Sequence, residues 1–96
     1  MPAYAVGLLD IRDTSWLRDY RDKTEALVRN HGGRYLVRGG GVEVLEGGKP
    51  PPSAVVVLEF PSMAAARAWY GDPEYAPLIE LRRTGAHLDF VLVEGL

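Results

Sequence analysis

Two ionisable residues near the middle of the sequence are of the types that polar chemistry on a carbonyl compound needs. They are Glu59, the one acid in the run AVVVLEF, and Arg38, which ends the run RYLVR. A carboxylate can take a proton, and a guanidinium can hold an enolate or carboxylate oxygen through paired N–H donors. On neighbouring strands they would form a polar pair in or at the mouth of a cavity, Glu59 as base and Arg38 as oxyanion partner. The same pair would serve equally well as a structural ion pair satisfying two groups buried by assembly. Arg34, His87 and Asp89 alternate onto the same expected sheet face, and Tyr70 and Tyr75 flank a helix break where their hydroxyls could meet a pocket mouth. These five are the candidate substrate contacts.

Other chemistry is poorly provided for. There is no cysteine, which removes thiol nucleophiles, disulfides and iron–sulfur clusters together. His31 falls at a helix C-terminus, where an imidazolium would interact with the helix dipole. His87 opens a strand and is the better candidate of the two histidines, but neither belongs to a constellation that would hold haem. No metal site and no cofactor are expected. The triple glycine at 39–41 lacks the helix and lysine of a phosphate-binding loop. A net charge of -2 and a pI near 5.6 provide no basic face for nucleic acid or anionic membrane. The start, MPAYAVGLLDIRD, has no basic region before its apolar run and reaches acid within ten residues, so cytoplasm is the expected compartment.

The elements that must position these residues follow from periodicity. Ala3 to Ile11 has strand spacing, with either alternating row able to face the core. Asp13 can cap a helix from about Thr14 to Asn30, whose apolar face is Trp16, Leu17, Tyr20, Leu27 and Val28, and Gly32 stops it. RYLVR is a second strand, which Gly39 to Gly41 would bend or bulge before VEVLE resumes as a returning arm. AVVVLEF is the third strand, with Val56, Leu58 and Phe60 toward the helices and Val55, Val57 and Glu59 away from them. In strand two, Tyr35 and Val37 would go with the helices, and Arg34, Leu36 and Arg38 would point away. Ser62 caps a second helix through Trp69, Asp72 and Pro73 start a short one in which Pro77 predicts a kink, and HLDFVLVE is the last strand.

This order predicts an α+β, ferredoxin-like βαββαβ domain over residues 1–96, with two main helices on one face of an antiparallel sheet. AVVVLEF and FVLV are apolar at odd and even positions alike, as in strands buried on both faces, yet no element remains to cover the second face. A homodimer packed sheet to sheet is the expected solution. The runs GGRYLVRGG, VLEG, VVVLEFPS, ARAWYGDPEY and LVEGL resemble the domain of unknown function 1330 family across nearly the whole chain. The resemblance implies a dimeric α/β-barrel, in a superfamily that includes cofactor-free monooxygenases, muconolactone isomerases and some haem proteins, and it implies no particular reaction. Gly71-Asp72 and Pro77 depart from the family pattern around the second helical region. The functional expectation is a dimer that binds a small apolar or aromatic carbonyl or enol metabolite for proton transfer or cofactor-free oxygenation. The alternative is a non-catalytic metabolite-binding or protein-interaction module.

Overall fold

The computed structural model describes residues 1–96. Its elements are β1 (Ala3–Ile11), α1 (Leu17–Asn30), β2 (Arg34–Gly39), β3 (Ala54–Phe60), α2 (Met63–Tyr70), α3 (Ala76–Arg83) and β4 (Ala86–Glu94). The four strands form one antiparallel sheet in the order β2-β3-β1-β4. This is the ferredoxin-like α+β arrangement expected from the sequence, with the second helical region divided into α2 and α3.

Strand β1 resolves which of its two rows faces inward. Ala3, Ala5 and Leu9 are buried toward the helices, while Leu8 and Asp10 are exposed on the other face. The inward row is small because space is short at the sheet centre. A Cβ on Gly7 would lie 2.8 Å from the Leu88 and Val56 side chains and 2.9 Å from Phe90, so glycine lets those three close over the strand. In β3, Leu58 and Phe60 are buried beneath the helices as alternation predicts. They join Leu27, Val28, Trp69, Tyr75 and Leu78 in the main apolar cluster.

Strand β2 departs from simple alternation. Arg34 pairs with Glu59 and Tyr35 with Leu58, but Val37 then pairs with Val57 and Arg38 with Val56, with the register shift falling at Leu36. One extra residue exchanges the faces of everything after it. Val37 therefore turns outward and Arg38 turns in toward α1, the reverse of the expected sorting. The bulge lies ahead of the glycines, and no strand forms in residues 40–53, so the returning VEVLE arm is not a hairpin. Left-handed glycines at 41 (φ 75°) and 47 (φ 115°) turn the chain on either side of it.

Two helix starts also differ from expectation. The Asp13 carboxylate accepts from the Ser15 hydroxyl at 2.5 Å instead of capping, and α1 begins only at Leu17. Ser62 does cap α2, its hydroxyl oxygen accepting from the Ala65 N–H at 3.1 Å. Residues 72–75 form a turn in which the Tyr75 N–H donates to the Asp72 carbonyl at 2.8 Å and the Glu74 N–H to the Asp72 carboxylate at 2.9 Å. Helix α3 starts after it, which puts Pro77 in the first turn, where an N–H is not needed, and removes the reason for a kink.

Candidate functional site

The layer between sheet and helices is incompletely filled, and its openings adjoin one another. A cleft of ≈ 290 Å³ lies between α2 and the β1 and β4 strands, walled mainly by apolar side chains, Ala5, Ala66, Trp69, Tyr70 and Phe90 among them, with Arg67 its one charged residue. Beyond Trp69 and Phe90 is an inner chamber of ≈ 30 Å³ that also touches Tyr20, Thr24, Leu58, Arg82 and Leu88. Tyr20, Tyr35, Leu9 and Val56 separate this chamber from a groove of ≈ 90 Å³ that ends at Trp16, Arg21 and Arg38. Alanine occupies two positions of its wall, Ala5 on the strand and Ala66 on the helix, and leaves space that larger side chains would fill.

The inner chamber is lined mostly by apolar side chains, with Arg82 and Thr24 the polar exceptions. Arg82, only 4% exposed, donates from Nη1 to the hydroxyls of Tyr20 and Tyr75 at 3.1 Å each, and those hydroxyls lie 2.6 Å apart. No carboxylate pairs with it: the ion pairs of this chain all involve other residues. Burial opposes the Arg82 charge, and the two phenolic oxygens more than offset that, so its pKa is displaced upward. Burial likewise drives the Tyr75 phenol well above its usual range. Three further polar atoms, Thr24 Oγ1, Trp69 Nε1 and Arg82 Nε, are buried with no partner in the protein. Trp69 is held in place by Tyr75, with ring centroids 4.6 Å apart, and by Phe90 edge-on at 6.0 Å.

Arg38 and Glu59 are not brought together. Arg38 donates to the Glu25 carboxylate on α1 at 3.1 Å and stacks over the Tyr35 ring at 4.8 Å, because the Leu36 bulge turns it inward. Glu59 remains on the outer sheet face, where Arg34 Nε donates to it at 2.8 Å. The Arg34 guanidinium holds the Glu59 carboxyl below its usual range, with the neighbouring Tyr4 hydroxyl adding to the effect. A carboxylate stabilised as an anion is a weaker base. The polar pair therefore exists with Arg34 in the place expected of Arg38.

The other candidates divide between the two faces. Tyr70 lines the apolar cleft, and Tyr75 lies buried against Arg82. His87 and Asp89 bond each other at 3.0 Å, exposed on the outer face of β4. His31 bonds the Asp72 carboxylate at 2.8 Å, tying the end of α1 to the turn before α3 and holding that carboxyl below its usual range. No group of histidine and acidic side chains is arranged to hold a metal ion.

Sequence reasoning missed Tyr20, Thr24 and Arg82 as chamber residues. A signal was present in α3: Arg82 lies four residues after Leu78 and seven after Tyr75, hence on the buried side of a short helix. An arginine on an apolar stripe is the pattern that marks it.

Relatives bear on the fold. A protein of unknown function from Rhodopseudomonas palustris superposes with a TM-score of 0.82 at 19% identity, over 99% of this chain and 82% of its own. SnoaB, a cofactor-independent oxygenase from Streptomyces nogalater, gives 0.73 at 14% identity over 99% and 93%. A dimeric ferredoxin-like protein of unknown function from Jannaschia gives 0.65 at 13% identity over 99% and 100%. At these identities the likeness is one of fold. No match is found among curated proteins. Residues 2–96 match the profile of a domain of unknown function, DUF1330, and the chain belongs to that family.

Proposed function

We propose that this chain works as a homodimer that binds a small apolar or aromatic carbonyl or enol compound between its sheet and its helices. The observation that carries the reading is the ≈ 290 Å³ mainly apolar cleft, which shares the walls Trp69 and Phe90 with a smaller chamber that Arg82 lines. An apolar cavity with a few convergent polar groups is the usual form of a small-molecule site. The dimer is supported by the outer sheet face, where the registers align Val37, Val57, Val6 and Val91 in one row across all four strands. Val37 and Val91 are exposed in the isolated chain, and a second sheet would cover them.

Within this reading, cofactor-free oxygenation is better served than proton transfer. No carboxylate or imidazole lines the cleft or the chamber, so no ordinary base stands over a bound substrate. A substrate that arrives ionised needs none, and the fold is shared with a cofactor-independent oxygenase. The missing base equally favours the second reading, a non-catalytic binding module. The discriminating experiment is oxygen uptake with a panel of small aromatic enols, run beside native mass spectrometry of the gently purified protein. Uptake that Trp69→Ala abolishes supports the enzyme. A retained small molecule without turnover supports the module. A monomer with no adduct and no turnover refutes the reading.

A further inference from the structure

We propose that the inner chamber is an anion subsite, and that the ligand carries one ionised oxygen on an unsaturated carbon, as a carboxylate or an enolate, attached to an apolar body. This deepens the reading of the helix–sheet cleft and rests on it. A guanidinium withdrawn from water needs a counter-charge or a full set of acceptors. Arg82 has two phenol oxygens on Nη1, nothing on Nε and no carboxylate. The unpartnered donors of Thr24 and Trp69 belong to residues lining the same chamber. One buried cation and two neutral donors with no acceptor of their own make a site complementary to negative oxygen.

Size and connection restrict the group further. A volume of ≈ 30 Å³ exceeds the roughly 10–15 Å³ needed for one water and suits one small polar group, not a phosphate or a second ring. The adjoining cleft, bounded by Tyr70, Phe90 and Leu92, provides for the apolar body, and Trp69 with its indole N–H stands at the junction. Arg67, exposed on α2, also lines the cleft, so two cations lie within reach of a ligand anion, and the buried one, Arg82, is the one at the chamber.

Equilibrium binding to the full-length protein, followed by tryptophan fluorescence and calorimetry, tests this with benzoate, its neutral isostere benzamide, and 1,3-cyclohexanedione as an enolate near neutral pH. Benzoate or the enolate is expected to bind at least tenfold more tightly than benzamide, and Arg82→Met to erase that preference. The stronger of the two anions identifies the oxygen class. Equal affinity for benzoate and benzamide in the wild-type protein, with the enolate no tighter, overturns the anion subsite and leaves the cleft reading standing. A preference that survives in folded Arg82→Met also overturns it. If none of the three binds at millimolar concentration, the cleft reading falls and the subsite with it.

Discussion

Replacing Arg82 by methionine should cost the fold almost nothing. The charge is buried without a counter-ion, and holding an ion in a protein interior costs several kcal/mol even after relaxation. Against this stand two hydrogen bonds from a charged donor, worth ~1.5–3 kcal/mol each. Methionine gives up both but leaves the Tyr20 and Tyr75 hydroxyls bonded to each other at 2.6 Å, so neither phenol is stranded. The volume opened beside the chamber takes back about 1 kcal/mol for every ~40 Å³. These terms nearly cancel, and the variant should lie within about 1 kcal/mol of wild type. Leu78→Ala, at a neighbouring buried position on the same helix, should lose ~2–5 kcal/mol.

Urea unfolding at one fixed protein concentration measures both variants, since a dimer's stability depends on concentration. In thermal terms, 1 kcal/mol in a chain of this size is about 4–8 °C. A loss above ~3 kcal/mol in Arg82→Met, comparable to Leu78→Ala, would refute the reasoning. It would show that the guanidinium is a structural centre of the core instead of a charge held ready for a ligand.

Three further outcomes follow from the geometry. Val37→Asp puts a carboxylate at one end of the outer valine row, and the protein should sediment as a monomer at micromolar concentration with unchanged far-ultraviolet dichroism; a persistent dimer would exclude that face as the interface. The Asp72 carboxyl is depressed by His31, so its contribution is present above the unfolded value near 3.8 and is lost as pH falls through the lower folded value. Asp72→Asn should therefore flatten the acid limb of a plot of urea midpoint against pH below about 4, where wild type declines; parallel curves would contradict the linkage. Gly7→Ala forces a methyl to within 2.9 Å of three side chains and should destabilise by ~1–3 kcal/mol in the same urea assay, a neutral result meaning that the sheet centre can yield.

The fold could be read from sequence because each element carried its own period and its own stop. Leu58 and Phe60 alternate inward, Ser62 caps, and Gly32 takes φ 79° where α1 ends. The site could be read only in part, because a bulge leaves no periodic trace. RYLVR alternates well enough to suggest that Arg38 and Glu59 share a face, yet the extra residue at Leu36 places them on opposite faces. Arg82 escaped for a different reason. One charged residue in a short helix ending ELRR looks like the solvated surface that its neighbours Glu80 and Arg83 do form, paired at 3.2 Å. Much of the cleft is made by absent side chains, at Ala5 and Ala66, and composition gives absence no weight.

Assembly and binding meet on β4. This edge strand pairs only with β1 and serves both surfaces: Phe90, Val91 and Leu92 line the cleft, while Val91 and Val93 are also exposed toward the outer side. A second sheet against Val91 and Val93 would hold β4 in the position that shapes the cleft, whereas in a monomer this edge is free to fray. Any fraying lowers the fraction of molecules competent to bind, and the apparent dissociation constant rises in inverse proportion. Val37 lies across the sheet on β2 and does not line the cleft, so Val37→Asp separates the two effects. If the monomer it yields binds benzoate several-fold more weakly than wild type, while amide exchange quickens in β4 and not in β1, dimerisation tunes the site through that strand. Unchanged affinity in a proven monomer would mean that α2 and β1 alone fix the cleft, and that the two sites of a dimer act independently.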